Sequence, residues 1–121
     1  MRLVSLQKNS GAKQLGNGTA FPVETLGDEF DAGPDAFVDT AAVMAGLDLI
    51  ITCDTSIAHL GGALGKPVWV ALKSVPDWRW MLERPDSPWY PTMRLFRQAS
   101  PGDWDSVFAR MADELRRERN P

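Results

Sequence analysis

Two short apolar runs, joined by a segment long enough for only one small helix, constrain the fold more than any other feature of the sequence. The first run extends from Leu47 to Cys53 around Leu49-Ile50-Ile51, and the second from Val68 to Leu72. Continuous apolar runs of this length are typical of strands covered on both faces, as in a parallel sheet flanked by helices. We therefore predict two central strands, with Cys53 as a buried strand residue.

The segment between the two runs has the start and stop signals of a helix. Asp54 and Thr55 can cap its N-terminus, and Gly65 suits its C-terminal cap, with Pro67 just beyond. The unit is therefore strand, helix, strand, and its crossover is expected to be right-handed, as in nearly every known case.

The rest of the chain completes an α/β pattern. We predict one domain over residues 1–121, a three-layer α/β/α Rossmann-like fold with a mostly parallel sheet. The Gly-x-Gly-x-x-Gly fingerprint of dehydrogenases is missing, which disfavours an NAD enzyme. The other predicted elements are strands at 3–6 and Val23–Leu26, a helix from Asp35 to Ala45, a long ordered loop over 73–92, a strand at Met93–Arg97 and a final helix after Asp103.

Composition and charge exclude several classes of function. A net charge of -3 argues against nucleic acid as a partner, because binding its backbone requires a basic surface. No apolar run approaches the length of a membrane span and no signal-peptide pattern is evident, so we expect no membrane span and a cytoplasmic location. The single cysteine fits a reducing compartment. With one histidine and one cysteine, the sequence predicts neither a metal site nor a cofactor.

The turn from the first central strand into its helix is the best candidate site. Ligands of an open parallel sheet bind beyond the carboxyl ends of its strands, where a helix N-terminus offers free N–H groups to a diphosphate. Asp54 and Thr55 also have a purely structural interpretation, because both are common helix caps. An inward-pointing Asp54 would repel a diphosphate, so the backbone amides are the better ligands.

The pattern D-T-x-x-A-H-L-x-G-A-L-G-K-P, from Asp54 to Pro67, resembles the donor-binding domain of glycosyltransferase family 9, the heptosyltransferases. The segments Pro76-Asp77-Trp78-Arg79-Trp80 and 87–98 are similar to the glycosyltransferase-like C-terminal domains of bacterial tetratricopeptide-repeat proteins. The resemblance implies one half of a GT-B fold, the half that binds a nucleotide-diphosphate sugar as donor.

The resemblance also implies a set of ligand-binding residues, and it implies that donor binding and acceptor binding belong to different domains. Without an acceptor-binding or tetratricopeptide-repeat domain before it, the chain is expected to bind donor but not to transfer the sugar by itself. The residues at 73–78 depart from the small Gly/Thr-containing loop of heptosyltransferases, so the sugar specificity does not carry over. The residues that the resemblance brings to the donor are Lys8, Asp54, Thr55, Ser56, Ile57 and His59.

Several of these residues have a second interpretation. His59 is either a donor to phosphate or sugar or a hydrogen-bonded structural residue, and Lys8 and Lys66 are either phosphate ligands or solvated turn lysines. The aromatic residues at 78–90 could stack on a nucleotide, but packing against another domain is the favoured interpretation. The competing function is a non-catalytic protein-interaction module that retains the fold without donor binding.

Overall fold

The computed structural model describes residues 1–7 and 21–120. The chain divides into two compact units, residues 1–43 and residues 44–121, and each is described by itself. Lys8, a predicted ligand-binding residue, lies outside the described residues. In the described part of the chain, no helix combines the length and the apolar character needed to cross a membrane.

In the first unit, the two predicted strands are reduced to one parallel bridge. Val4 pairs with Glu24 through two backbone hydrogen bonds, Ser5 N–H to the Glu24 carbonyl (2.9 Å) and Glu24 N–H to the Leu3 carbonyl (2.8 Å). Arg2 and Glu24 add an ion pair at 2.8 Å. A two-stranded pairing has little stability of its own. The predicted segments 3–6 and 23–26 do pair with each other, but the pairing is a single bridge and not two full strands.

Helix α1 covers Val38–Ala45 and begins three residues later than predicted. Its first turn is held by Asp31, whose carboxylate accepts hydrogen bonds from the N–H groups of Asp39 (3.0 Å) and Thr40 (3.2 Å). The helix cannot begin earlier because Phe37 has a φ of 69°, outside the right-handed helical region.

The second unit contains a three-stranded parallel sheet. Its strands are β1 (Ile50–Cys53), β2 (Val68–Leu72) and β3 (Met93–Arg97), in the spatial order β1-β2-β3. Both pairings are parallel, with Ile50 beside Val68 and Val68 beside Met93. The α/β class with a parallel sheet is confirmed, and β2 and β3 have the predicted bounds.

Helices cover both faces of this sheet. Helix α2 (Ser56–Ala63) packs on β1 and β2, and helix α3 (Trp104–Arg119) packs on β3. Side chains alternate along each strand, so Val68 and Val70 face α2, whereas Trp69 and Ala71 face α3. The buried cluster on the α3 face consists of Trp69, Ala71, Phe96, Val107 and Met111. The three-layer arrangement is therefore present in this unit.

Close packing between α2 and the sheet depends on Gly61. A Cβ atom at this position would lie 2.8 Å from Val68 Cγ2 and 3.0 Å from Ile50 Cδ1. A Cβ atom this close to the buried Val68 side chain would force the helix or the strand to shift, so glycine allows the helix to approach the strands this closely.

The prediction that β1 is covered on both faces is wrong. Ile51 is 48% exposed, and Cys53, which we predicted to be buried, is also exposed. The physical reason is the strand's position: β1 is an outer strand of the described sheet, and the core on the α3 face is built from β2 and β3.

Helix α3 has a titratable cap that can be tested. The Asp103 side chain accepts hydrogen bonds from Ser106 N–H (3.2 Å) and Ser106 Oγ–H (2.7 Å), and these bonds lower the pKa of Asp103. A depressed pKa contributes stability above the unfolded-state value near 4, and the contribution disappears as the pH falls through the folded-state pKa.

We therefore expect Asp103→Ala to lower the melting temperature by several degrees at pH 7 and by much less at pH 2. Asp103→Asn, which keeps the acceptor without the titration, is the matched control and should lie close to the original protein at pH 7. Thermal unfolding followed by circular dichroism at both pH values measures this. An Asp103→Ala deficit that is equally large at pH 2 would contradict the ionised cap.

Candidate functional site

The N-terminus of α2 lies at the carboxyl edge of the sheet, directly after β1. Thr55 occupies the cap position with extended backbone (φ −138°, ψ 173°), but its side chain makes no capping hydrogen bond. Its hydroxyl lies instead 3.2 Å from the Thr52 hydroxyl. The interpretation of this turn as a side-chain cap is therefore not realised at Thr55.

The first two amides of α2 have no acceptor in the described part of the chain. The Ala58 N–H bonds to the Thr55 carbonyl at 3.1 Å, whereas the Ser56 and Ile57 N–H groups have no acceptor among the described residues. Such groups must be satisfied by water or by a ligand. Asp54, Thr55 and Ser56 are exposed and Ile57 is half-buried, so a ligand can reach this turn from solvent.

His59, one turn into α2, is held by two aromatic side chains. Its Nδ1 lies 3.1 Å from the Tyr90 hydroxyl. Its ring stacks on Trp80, with centroids 5.2 Å apart and 24° between the planes. Part of the structural interpretation is therefore correct, because His59 joins α2 to the loop between β2 and β3. Nε2 is the ring nitrogen that remains for another partner.

That loop, residues 73–92, contains a 3-10 turn at Trp78–Trp80 and packs against α2. Trp80 is fully buried. Tyr90 lies against the helix backbone: a Cβ on Gly62 would be 2.6 Å from Tyr90 Cγ. The predicted long ordered loop thus packs on α2 through aromatic side chains. The contact of Tyr90 with the helix requires a glycine at position 62.

Arg97, at the end of β3, forms hydrogen bonds to the backbone of the 73–92 loop. Its guanidinium donates hydrogen bonds to three backbone carbonyls, those of Arg84 (2.9 Å), Met81 (2.9 Å) and Trp80. Burial lowers the pKa of Arg97, with a smaller contribution from the charge of Arg84. An arginine nevertheless stays charged at neutral pH, so these are charge-assisted bonds.

The start of the loop carries an acidic side chain, Asp77, that is paired with Arg79. Asp77 accepts hydrogen bonds from the Arg79 backbone N–H (3.0 Å) and guanidinium (2.9 Å). The backbone bond is the largest cause of the lowered pKa of Asp77, and the charge of His59 adds a small further lowering. Asp77 therefore lies within electrostatic range of His59.

The tryptophans of the loop fall into two groups that the sequence does not distinguish. Trp80 is buried, whereas Trp78 is 70% exposed and Trp89 54% exposed. The exposed pair is nevertheless ordered locally, because Trp89 Nε1–H donates to the Arg79 carbonyl (2.9 Å) and the Arg79 guanidinium lies 4.7 Å from the Trp78 ring centroid.

The Lys66 side chain makes a hydrogen bond to the backbone. Its Nζ donates to the carbonyl of Ala45, the last residue of α1, at 3.1 Å. In the part of the chain that the structure describes, no three His, Cys, Asp or Glu side chains are grouped closely enough to hold a metal ion.

A groove of about 300 Å³ lies between β3 and α3, and it was not predicted from the sequence. Glu114 lies in it, paired with Arg94 (3.1 Å) and Arg117 (2.7 Å), and the Arg94 bond is the main cause of its lowered pKa. The helical spacing of the charges on α3 is the one sequence signal for it. The lining residues are Pro85, Arg94, Leu95, Phe96, Arg110, Asp113, Glu114 and Arg117, and none of them belongs to the predicted site.

Comparison with known proteins gives one partial similarity. A stretch of 78 residues is 35% identical to Protein FlbA of Caulobacter vibrioides, and it covers 64% of this chain but 13% of that protein. No protein-family profile matches the chain, and no solved structure matches it. The resemblance to glycosyltransferases therefore stays a prediction from the motifs.

Proposed function

We propose that this chain binds a nucleotide-diphosphate sugar, as the donor half of a heptosyltransferase-like glycosyltransferase. The observation that carries the proposal is the pair of N–H groups of Ser56 and Ile57, which open α2 without a capping side chain. They lie at the carboxyl edge of a parallel sheet, where open α/β folds bind their ligands.

The diphosphate suits this turn for electrostatic reasons. The aligned peptide dipoles of a helix place about half a positive charge at its N-terminus, and the free N–H groups supply directed hydrogen bonds. The same groups would stabilise the negative charge that develops on the leaving diphosphate during glycosyl transfer. Transfer needs an acceptor-binding half as well, so we expect the chain by itself to bind donor without turnover.

Asp54 and Thr55 have different expected roles from the amides. The Asp54 carboxylate is exposed, and because it would repel a diphosphate, we assign it to a sugar hydroxyl. The Thr55 hydroxyl, which lies beside that of Thr52, is free to reorient toward a phosphate oxygen. The exposed thiol of Cys53 suits a reducing location such as the cytoplasm.

A bulky side chain at the first helical position should block the site. We expect Ser56→Trp to weaken the binding of ADP, UDP or GDP, whichever binds the original chain, by at least about tenfold, which corresponds to about 1.4 kcal/mol. The measurement is a titration followed by backbone amide shifts. Ser56 is exposed, so the variant should fold.

The control for this experiment is Ser100→Trp, which places the same side chain at another exposed serine, in the turn before α3. Its nucleotide affinity should equal that of the original chain. An unchanged nucleotide affinity in Ser56→Trp would contradict the proposal that the diphosphate binds at this turn.

The second candidate is the interaction module, and the exposed apolar side chains of the loop favour it. Trp78 is 70% exposed, Leu82 66% and Val75 78%. Large exposed apolar side chains close together in sequence are typical of protein-binding surfaces. An isolated chain that shows no nucleotide binding at millimolar concentration, yet is folded, would favour this function over donor binding.

A further inference from the structure

The indole N–H of Trp80 is a buried donor without an acceptor. Trp80 is fully buried, and its Nε1 has no hydrogen-bond partner among the described residues. Buried side-chain donors in proteins are nearly always paired, because leaving one unpaired forfeits the hydrogen bond it made with water. An unpaired indole N–H therefore points to an acceptor that is not part of the described chain.

The position of Trp80 indicates where that acceptor comes from. Its ring stacks on His59, which lies one turn from the N-terminus of α2. His59 and Trp80 come from different elements, the helix and the loop, so their contact is the point at which the loop meets the proposed donor site.

The contact of His59 with Tyr90 is compatible with a tautomer that makes the ring a second donor at this point. Nδ1 lies 3.1 Å from the Tyr90 hydroxyl. When the hydroxyl donates to Nδ1, the imidazole proton of the neutral ring must be on Nε2, which then becomes a donor. The stacking on Trp80 fixes the plane of the ring.

We propose that the indole N–H of Trp80 and Nε2–H of His59 bind anionic oxygens of the bound diphosphate, and that Tyr90 is the positioning residue that sets the His59 tautomer. The inference rests on the proposed function and deepens it. Two neighbouring N–H donors that have no acceptor among the described residues favour a diphosphate, whose anionic oxygens can accept both bonds. Trp80 Nε1 is closed to solvent, so the proposal requires the 73–92 loop to move against α2 when the diphosphate binds.

The indole N–H signals of a ¹⁵N-labelled chain report on this directly. The chain has five tryptophans, and Trp80→Phe and Trp89→Phe assign two of the signals. Titration with ADP, UDP, GDP and inorganic pyrophosphate should move the Trp80 indole proton downfield, saturating at the same dissociation constant as the amides of Ser56 and Ile57. Trp89, already bonded to the Arg79 carbonyl, is the internal control and should not move.

Tyr90→Phe tests the positioning role separately. The variant keeps the ring against Gly62 and removes only the hydroxyl, so it should fold. We expect about a tenfold weaker affinity for the nucleotide. We also expect the ¹⁵N shifts of the His59 ring to move from one tautomer toward a mixture, a change that a purely structural role for Tyr90 would not require.

The outcomes separate the inference from the proposed function. Shifts at Ser56 and Ile57 with an unmoved Trp80 indole would overturn the inference and leave the donor site standing. A shifted Trp80 indole with unmoved amides would support the oxyanion site and overturn the site at the helix N-terminus. A folded chain in which none of these signals moves would overturn both.

Discussion

Replacing Arg97 with methionine is expected to lower the free energy of unfolding by about 3 kcal/mol, because hydrogen bonds from a charged donor contribute about 1.5–3 kcal/mol each and are not additive. Methionine replaces the aliphatic part of the arginine side chain but has no group that can donate to the carbonyls of Trp80, Met81 and Arg84. Those carbonyls would lose their partner while the loop stays folded over them. Urea denaturation measures the loss of stability.

The same variant should loosen the loop more than the sheet. We expect the backbone amides from Trp80 to Arg84 to exchange hydrogen faster in native-state exchange, with little change in β2. Arg119→Met, at an exposed position in the last turn of α3, is the matched control and should change stability by less than about 0.5 kcal/mol. Equal losses in the two variants would mean that Arg97 does not hold the loop.

Replacing Gly62 with valine is the second substitution with a large expected effect, a loss of about 2–3 kcal/mol. A Cβ at this position lies 2.6 Å from Tyr90 Cγ and 2.8 Å from Cδ1, so either the tyrosine ring or the helix must move. Displacement of Tyr90 would also break its contact with His59 Nδ1. Thermal and urea unfolding measure the loss.

The matched control is Ala63→Val, one residue further along the same helix at an exposed position. It adds a β-branched side chain to an exposed position of α2, so its effect should stay below about 0.7 kcal/mol. A Gly62→Val variant as stable as Ala63→Val would show that Tyr90 is not packed on the helix. The ¹⁵N shifts of His59 should change only in the Gly62 variant.

The elements that could be predicted are those whose signals are local. β2 is an uninterrupted apolar run after Pro67, and it was predicted with its observed bounds, Val68–Leu72. Helix α2 was placed to within a residue or two because Thr55 and Gly65 mark its ends. The apolar spacing from Trp104 onward likewise located α3. Each of these signals is read within one stretch of chain, so no tertiary information was needed.

The candidate site could be predicted only in part. The turn at Asp54–Ile57 followed from the order of strand and helix, but whether a side chain capped it did not, because Thr55 bonds to Thr52 instead. His59 was left with two interpretations. The structure shows a contact with Tyr90, a residue 31 positions away, and no periodicity links positions so far apart.

The sequence by itself determined the α/β class, the alternation of strand and helix along the chain, and the position of the turn at the carboxyl edge of the sheet. Apolar periodicity and helix caps act over a few neighbouring residues, so one stretch of sequence contains these signals. Only the tertiary structure decided that β1 is exposed on one face, that Trp80 is buried while Trp78 is not, and that Arg97 holds the loop. Burial and long-range hydrogen bonds depend on which segments meet in space. An isolated stretch of sequence does not contain that information.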